Sequence, residues 1–370
     1  FAAAAVQFAL YPAILGPLFW VSRTTLTAAT FQKVVLLLWL YYSAGALLGV
    51  LQSYFPGSFQ PQLASIIAEL GRDAVASLQI QLTSGERIYR PMGLTNTPGG
   101  AAYAGMYAIL LGTGVVLSPK PPFFGARTVA IGTMLLGLMC LYLCQVRSIL
   151  IMVGICMIVM LALLALSGRV SRLIGLLASV GVVIPVATIL ALGLAGRAVS
   201  ERLGTLVKAD AATVYHQNRG KFLEATWNYY LPEYPLGAGL GKWGMVCHYF
   251  GPIESKLWVE IQWTGWLFDG GVPLILVYTA AILVTTWSCF QVARGRIGGS
   301  EPSLSLWGSV LVAYNVGALA TCFNYPVFIG TGGLEFWLLN SALVCAAMNV
   351  DADARQQNVS RTQRVVAAAR

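Results

Sequence analysis

Arg147 is the first residue with chemical potential. It stands in Cys144-Gln145-Val146-Arg147-Ser148, the one charge in a long apolar stretch. Arginine presents a planar fork of donors, grips phosphate in bidentate fashion and stays charged. The plainer alternative is an anchor that snorkels to a membrane surface. Arg219, with Lys221 beside it, opens the longest polar and aromatic passage of the chain, HQNRGKFLEATWNYYLPEYPLGAGLG over 216–241. Either cation could instead be a solvated loop charge. Trp227, Tyr229, Tyr230 and Tyr234 follow, and such aromatics suit a membrane-interface belt or a surface on which sugars stack. The Pro235-Leu236-Gly237-Ala238-Gly239-Leu240-Gly241 turn could turn backbone N–H groups toward an anion. It lacks the Lys-Ser/Thr of a phosphate-binding loop, which excludes an ATPase.

A base could come from His216, His248, Glu254, Glu260 or Asp269. Histidine titrates near neutrality, although both histidines also read as ordinary loop residues. Glu260 and Asp269 lie where the chain turns back into apolar sequence, and carboxylates at such depth usually pair or work. Glu335, inside the last apolar run, follows the same logic, with pairing to an arginine as its alternative. No His/Cys/Asp/Glu cluster has metal-ligand spacing, and no Ser–His–Asp signature is present. The seven cysteines are scattered, with Cys140 and Cys144 one helical turn apart in a packing arrangement. No metal and no cofactor is expected, so arginines would do the electrostatic work of a divalent ion.

These residues need a scaffold, and composition dictates its kind. Of 370 residues, 57% are hydrophobic and 10% charged, against about 25% charged in soluble domains. Such a chain cannot cover a water-facing surface and must sit in a membrane. Its net charge of +9 then reflects loop bias and an anionic substrate rather than nucleic acid. The expected fold is an all-α polytopic transmembrane bundle. Roughly nine runs reach span length, near 1–21, 31–53, 98–118, 124–145, 148–167, 172–196, 264–290, 305–322 and 328–348. They form one domain over 1–348. Arg23, Lys120, Arg127, Arg169, Arg172, Arg294, Arg296 and the tail arginines fall on alternate connections, which marks that side as cytoplasmic. Two long connections, 54–97 and 197–263, therefore face outward, the second with short helices. The first contains LASIIAELGRDAVASLQIQL, whose spacing predicts an amphipathic surface helix with Glu69, Arg72 and Asp73 on its polar side. The 349–370 tail is basic and is expected to be disordered or to lie on the inner leaflet. The chain opens on Phe1 without a Met, which leaves room for upstream residues and spans, and shows no cleavable signal peptide.

In this order and on this side, four stretches resemble the bacterial O-antigen ligase and polysaccharide polymerase superfamily. Arg90-Pro91-x-Gly93 leading to Pro98 is similar to its turn of that shape. Arg147-Ser148 heading a span looks like its Ser-Arg-Gly entry. Arg219 ahead of Trp227 and the glycine turn resembles its large outer loop. The segment 258–275, with Asp269-Gly270-Gly271, looks like its closing helix. The resemblance covers about residues 88 to 280. It implies a metal-independent, inverting glycosyltransferase of the bacterial inner membrane, working at the periplasmic face on an undecaprenyl-diphosphate-linked oligosaccharide. Arg147 and Arg219 would stabilise the departing diphosphate, with Arg202 or Lys221 in support. Glu260, His248 or His216 would take the proton of the acceptor hydroxyl. Arg90, Trp227, Tyr230 and Asp269 would contact substrate. Partners would be the glycan acceptor, membrane lipid, and a chain-length regulator or export machinery. Where ligases of the family carry a His-Asn pair before the acid, this chain has Glu260-Ile261, which favours a polymerase. A ligase is the alternative within the class, and a transporter or flippase is the alternative outside it.

Overall fold

Inside a bilayer, a chain this apolar can satisfy its backbone only within helices or a closed barrel, and the computed structural model shows the first solution. It describes residues 1–63, 75–76, 78–82, 85–207, 213, 215–251, 257, 259–299 and 301–368. Among the described residues, nine long helices make an all-α bundle: α1 (Ala2–Trp20), α2 (Ala28–Tyr54), α3 (Ala101–Leu117), α4 (Ala126–Cys144), α5 (Arg147–Leu166), α6 (Val170–Val207), α7 (Gln262–Ala293), α8 (Pro302–Thr321) and α9 (Thr331–Ala368). Eight of them are long and apolar enough to cross a membrane, so the protein is a multi-pass membrane protein. α8 lies at the centre, with 83% of its span buried. Buried polar pairs tie it to its neighbours. Asn315 and Asn340 exchange two hydrogen bonds of 2.7 and 2.9 Å, and the Tyr107 and Tyr314 hydroxyls meet at 2.7 Å.

Contacts sort the connections into two ends. At one end the 91–100 turn meets Val146, the 235–241 turn meets Gly270 and Ala3, and Arg219 meets Asn324. At the other, Arg169 donates to the Ala293 carbonyl and the Ser305 hydroxyl, and Gly298 packs on Ala347. The basic connections named above belong to this second end.

α3 is the exception among the nine. Its 17 residues rise about 26 Å, short of a hydrocarbon core of about 30 Å. The irregular 91–100 turn supplies the missing length. It runs beside α2, short of that helix's end: a Cβ on Gly49 would meet Ala101 at 2.9 Å and Pro91 at 3.5 Å, and one on Gly45 would meet Leu94 at 3.8 Å. Non-helical backbone at membrane depth needs protein to satisfy its polar groups. Gln52, buried in α2, does so. Its Oε1 accepts from the N–H groups of Met92 (2.8 Å) and Gly93 (2.9 Å), and its Nε2 donates to the Gly93 carbonyl (2.9 Å). Cys140 and Cys144 pack against the same turn, their thiols reaching the carbonyls of Ala101 and Pro91.

α7 is broken. Gly270 (φ −158°, ψ 16°) and Gly271 (φ 64°, ψ −156°) leave the helical region. In an unbroken helix Val272 N–H would donate to the Phe268 carbonyl. Here Val272 N–H donates to the Pro235 carbonyl (3.0 Å), and the Phe268 carbonyl accepts from Gly239 N–H (3.0 Å). The glycine-rich 235–241 segment is thus a strap seated in the break, not a loop held open.

Three expectations are corrected. Where the surface helix is predicted to reach Leu82, the chain instead forms a strand, β1 (Gln79–Gln81), paired antiparallel with β2 (Arg87–Tyr89) around a turn at Gly85, φ 88°; most of the predicted helix, 64–74, lies outside the described residues. The Gln-Ile-Gln and Arg-Ile-Tyr alternation fits a strand better than a helix. Glu69, Arg72 and Asp73 lie outside the described residues. Of the two expectations for the basic tail, disorder is the one corrected: the tail continues α9 to Ala368, since no Gly or Pro interrupts it after Gly333. α6 likewise runs on to Val207, past its apolar portion.

The break in α7 separates two glycines that look alike in sequence. A Cβ on Gly271 would meet the Pro235 carbonyl oxygen at 2.2 Å, whereas one on Gly132 in α4 would meet nothing within 4 Å. Gly271→Ala should lower stability by more than about 1 kcal/mol. Gly132→Ala should leave it unchanged or raised, both read as thermal unfolding of the purified protein in detergent.

Candidate functional site

Arg219 lies in a helical stretch that contains two π turns, His216–Gly220 and Thr226–Tyr230, with one α turn, Lys221–Ala225, between them. π turns insert a residue and are common at functional positions. The Arg219 guanidinium reaches two segments at once. Nη1 pairs with Glu260 Oε2 at 2.7 Å, and Nε donates to the Asn324 carbonyl at 3.2 Å. Tyr215 donates its hydroxyl to the neighbouring Phe323 carbonyl (3.2 Å). Gln262, two residues after Glu260, holds the same connection from the other side. Its N–H donates to the Cys322 carbonyl (3.0 Å) and its Oε1 accepts from Phe328 N–H (2.8 Å). A buried Thr226–Thr264 hydroxyl pair at 2.6 Å completes the stitching. Two of the residues that the sequence marked, Arg219 and Glu260, are therefore one unit with 322–330. Their side chains are 35% and 21% exposed, so the ion pair itself contributes only about 1 kcal/mol or less.

A cavity of about 340 Å³ lies on the far side of 322–330. Its walls are α2 (Tyr41, Tyr42), the 92–100 turn (Thr95, Thr97), the start of α3 (Tyr103), Tyr325, and the start of α9 (Thr331, Glu335). The Tyr103 and Tyr325 rings are 6.1 Å apart. Tyr41, near the middle of α2, is 54% exposed, so the cavity has a mouth on the flank of the bundle. Its volume suits a small ligand.

Arg147 is the first residue of α5. It follows Gln145, whose backbone is left-handed at φ 56°, and Val146, which packs against Gly99. Arg90 is near enough to feel its charge. Burial, and after it the neighbouring Arg147, hold the Arg90 guanidinium below the ordinary arginine range, though an arginine remains charged at neutral pH. Two guanidinium groups and the positive end of a helix thus converge beside the turn whose other flank lines the cavity.

Asp269 has a different setting. It is 7% exposed, and its oxygens accept from Gln7 Nε2 (2.9 Å), Tyr11 Oη (2.7 Å), Trp243 Nε1 (3.0 Å) and the Gly241 N–H. It joins α1, the strap and α7. Tyr230 packs edge-on against Phe268, with ring centroids 5.0 Å apart. Trp227 and Lys221 are exposed. His216 pairs with Glu224 at 2.8 Å on the exposed face of its helix. His248 lies in the short helix Gly244–Phe250 with its ring against Tyr249. Neither histidine lines the cavity. The backbone of Arg202 belongs to α6; Glu254 lies outside the described residues. Among the described residues, no group of three or more His, Cys, Asp or Glu is placed to hold a metal ion.

The structure adds residues that sequence reasoning passed over: the tyrosines Tyr41, Tyr103 and Tyr325, and Gln52 and Gln262 as backbone clamps. Tyrosines and glutamines inside apolar runs were the available signal. In the opposite direction, the structure separates two carboxylates. Asp269→Asn would set an amide N–H₂ in place of one of two oxygens that both accept hydrogen bonds, and should cost more than about 2 kcal/mol. Glu260→Gln, at a half-exposed pair, should cost about 1 kcal/mol or less. Thermal unfolding of the two variants side by side checks the ordering. No protein-family model matches the sequence, and no curated protein matches it.

Proposed function

We propose that the protein is a polysaccharide polymerase of the inner membrane, a glycosyltransferase that moves glycan from an undecaprenyl-diphosphate donor to an acceptor hydroxyl at the periplasmic face. The observation that carries this reading is the placing of positive charge. Arg90 and Arg147 lie beside the 91–100 turn, and Arg219 is bonded to 322–330; these two segments wall one cavity, which the arginines flank without lining, at the end opposite the basic connections. Arginines at a low-dielectric membrane boundary are suited to a diphosphate. The resemblance to the O-antigen ligase and polymerase superfamily points the same way.

The chemistry is a single displacement. The acceptor oxygen bonds to the anomeric carbon while the bond from that carbon to the phosphate oxygen breaks, and the electron pair leaves with the diphosphate. The arginines stabilise the charge growing there. The acceptor proton passes to a carboxylate or imidazole, with Glu260 preferred, then His248, then His216, which Glu224 already engages. Attack opposite the leaving group inverts the anomeric centre, and no step calls for a metal.

One observation favours a transporter instead. Discontinuous helices are a transporter device, and α7 is discontinuous. Its freed backbone groups, however, are taken by Pro235 and Gly239, which leaves the break filled by the chain itself.

Purified protein incubated with a synthetic polyprenyl-diphosphate oligosaccharide should give a ladder of products by mass spectrometry, also in EDTA. Arg147→Ala should slow it about 10²- to 10³-fold, and Arg147→Lys should restore only part, since an ammonium cannot form the bidentate contact. Transfer to an added lipid or protein acceptor without a ladder would make it a ligase. Substrate movement across vesicles without turnover would overturn the transferase reading.

A further inference from the structure

Two carboxylates sit within the apolar helices at the arginine end of the bundle, and their surroundings are opposite. Asp269 receives four hydrogen bonds. Glu335, on the first turns of α9, makes no hydrogen bond or ion pair among the described residues, and it lines the cavity. Beside it the Tyr103 hydroxyl is buried without a hydrogen-bond partner and lines the same cavity. A carboxyl group and a phenol left unsatisfied at membrane depth are costly, and a fold that satisfies Asp269 so fully is able to do the same for Glu335. The missing partners are those of a ligand.

We propose that this cavity is a subsite for an uncharged sugar residue, with Glu335 and Tyr103 as the groups that recognise its hydroxyls. Glu335 accepts hydrogen bonds, Tyr103 donates or accepts one, and the hydroxyls of Thr95, Thr97 and Thr331 at the wall do both. A ligand that satisfies such a set must carry donors and acceptors on one rigid ring. The exposed Tyr41 ring at the mouth and the Tyr325 ring opposite Tyr103 offer flat apolar faces for the C–H side of a pyranose. A cation would suit the carboxylate and the rings. It would leave the hydroxyl donors unused and meet the repulsion of Arg90, Arg147 and Arg219 on the adjoining segments. An anion would suit the arginines, but none of them lines the cavity. The site is therefore divided, with phosphate chemistry on the arginine flank and sugar chemistry in the cavity. The proposal rests on the transferase reading for which glycan occupies the cavity, but the recognition itself needs no donor and no turnover.

The test uses the full chain in detergent and a panel of soluble neutral disaccharides free of lipid and phosphate, read by saturation-transfer NMR. At least one should bind saturably. Glu335→Ala and Tyr103→Phe should each weaken binding about tenfold or more, and Glu335→Gln, which keeps an acceptor oxygen, should lose less than Glu335→Ala. Phe124→Ala, at an exposed ring at the other end of the bundle, should bind as the parent does. Thermal unfolding of every variant shows that it is folded, and Tyr103→Phe, which removes one oxygen, serves if Glu335→Ala does not fold. No saturable binding by any member of the panel, binding undiminished in folded Glu335 and Tyr103 variants, or saturable binding of methylammonium that Glu335→Ala abolishes would overturn the proposal. Disaccharide binding without donor turnover would leave this subsite standing and sink the transferase; turnover without disaccharide binding would do the reverse.

Discussion

The hydrogen bond that α7 does not make between Val272 and Phe268 holds this architecture together at one end. Gly270 and Gly271 open the helix, and the Pro235–Gly239 strap takes both freed groups. Each half would be costly alone, since a broken span leaves backbone polar groups in an apolar region and a loop with alternating glycines has no conformation of its own. Together they fix each other. Asp269, inside the break, then gathers α1 through Gln7 and Tyr11 and the strap's extension through Trp243. The helical stretch bearing Arg219 precedes the strap directly, so its position follows from the same junction.

A second irregular element obeys the same rule by a different device. The 91–100 turn enters the bundle where a helix is expected and is made tolerable by one side chain, Gln52. Its reward is geometric. Because α3 starts late, room is left between α2, the turn and α9, and that room is the cavity. Satisfied polar groups build the walls and unsatisfied ones face the space. Gln52 and Asp269 differ from Glu335 and Tyr103 in this respect: the first two have their hydrogen bonds made within the protein, and the second two do not.

Much of this was legible in the sequence. The nine apolar runs, their order and the sorting of basic residues to one end follow from a pattern that a bilayer imposes on every residue of a span, and the structure keeps to it. The arginine pair was partly legible: Arg147 and Arg90 were each marked, but their proximity depends on Val146 meeting Gly99, which no spacing reveals. Asp269 and Glu335 look the same in the sequence, an acid in apolar company. What separates them is Gln7, Tyr11 and Trp243, and the first of these is 262 residues away. In sequence the glycine turn reads as a loop with N–H groups to offer an anion, because its true partner is the backbone of another element. The hairpin of β1 and β2 was missed because three-residue strands carry too little alternation to outweigh a helical run beside them.

The seating of α1 has a consequence for how the molecule is made. Only Ala3, Gln7, Ile14 and Pro17 of its 19 residues are buried, and their partners lie far along the chain: Gln7 bonds to Asp269, Ile14 packs on Gly333, and the backbone at Ala3 meets Gly241. During synthesis α1 enters the bilayer before any of them exists. It must wait there without these partners while the segments that carry them are threaded in behind it. α1 thus docks later than helices that follow it in the sequence, and its docking closes the junction over Asp269, so completion of that junction reports that the chain has been delivered at least as far as α7.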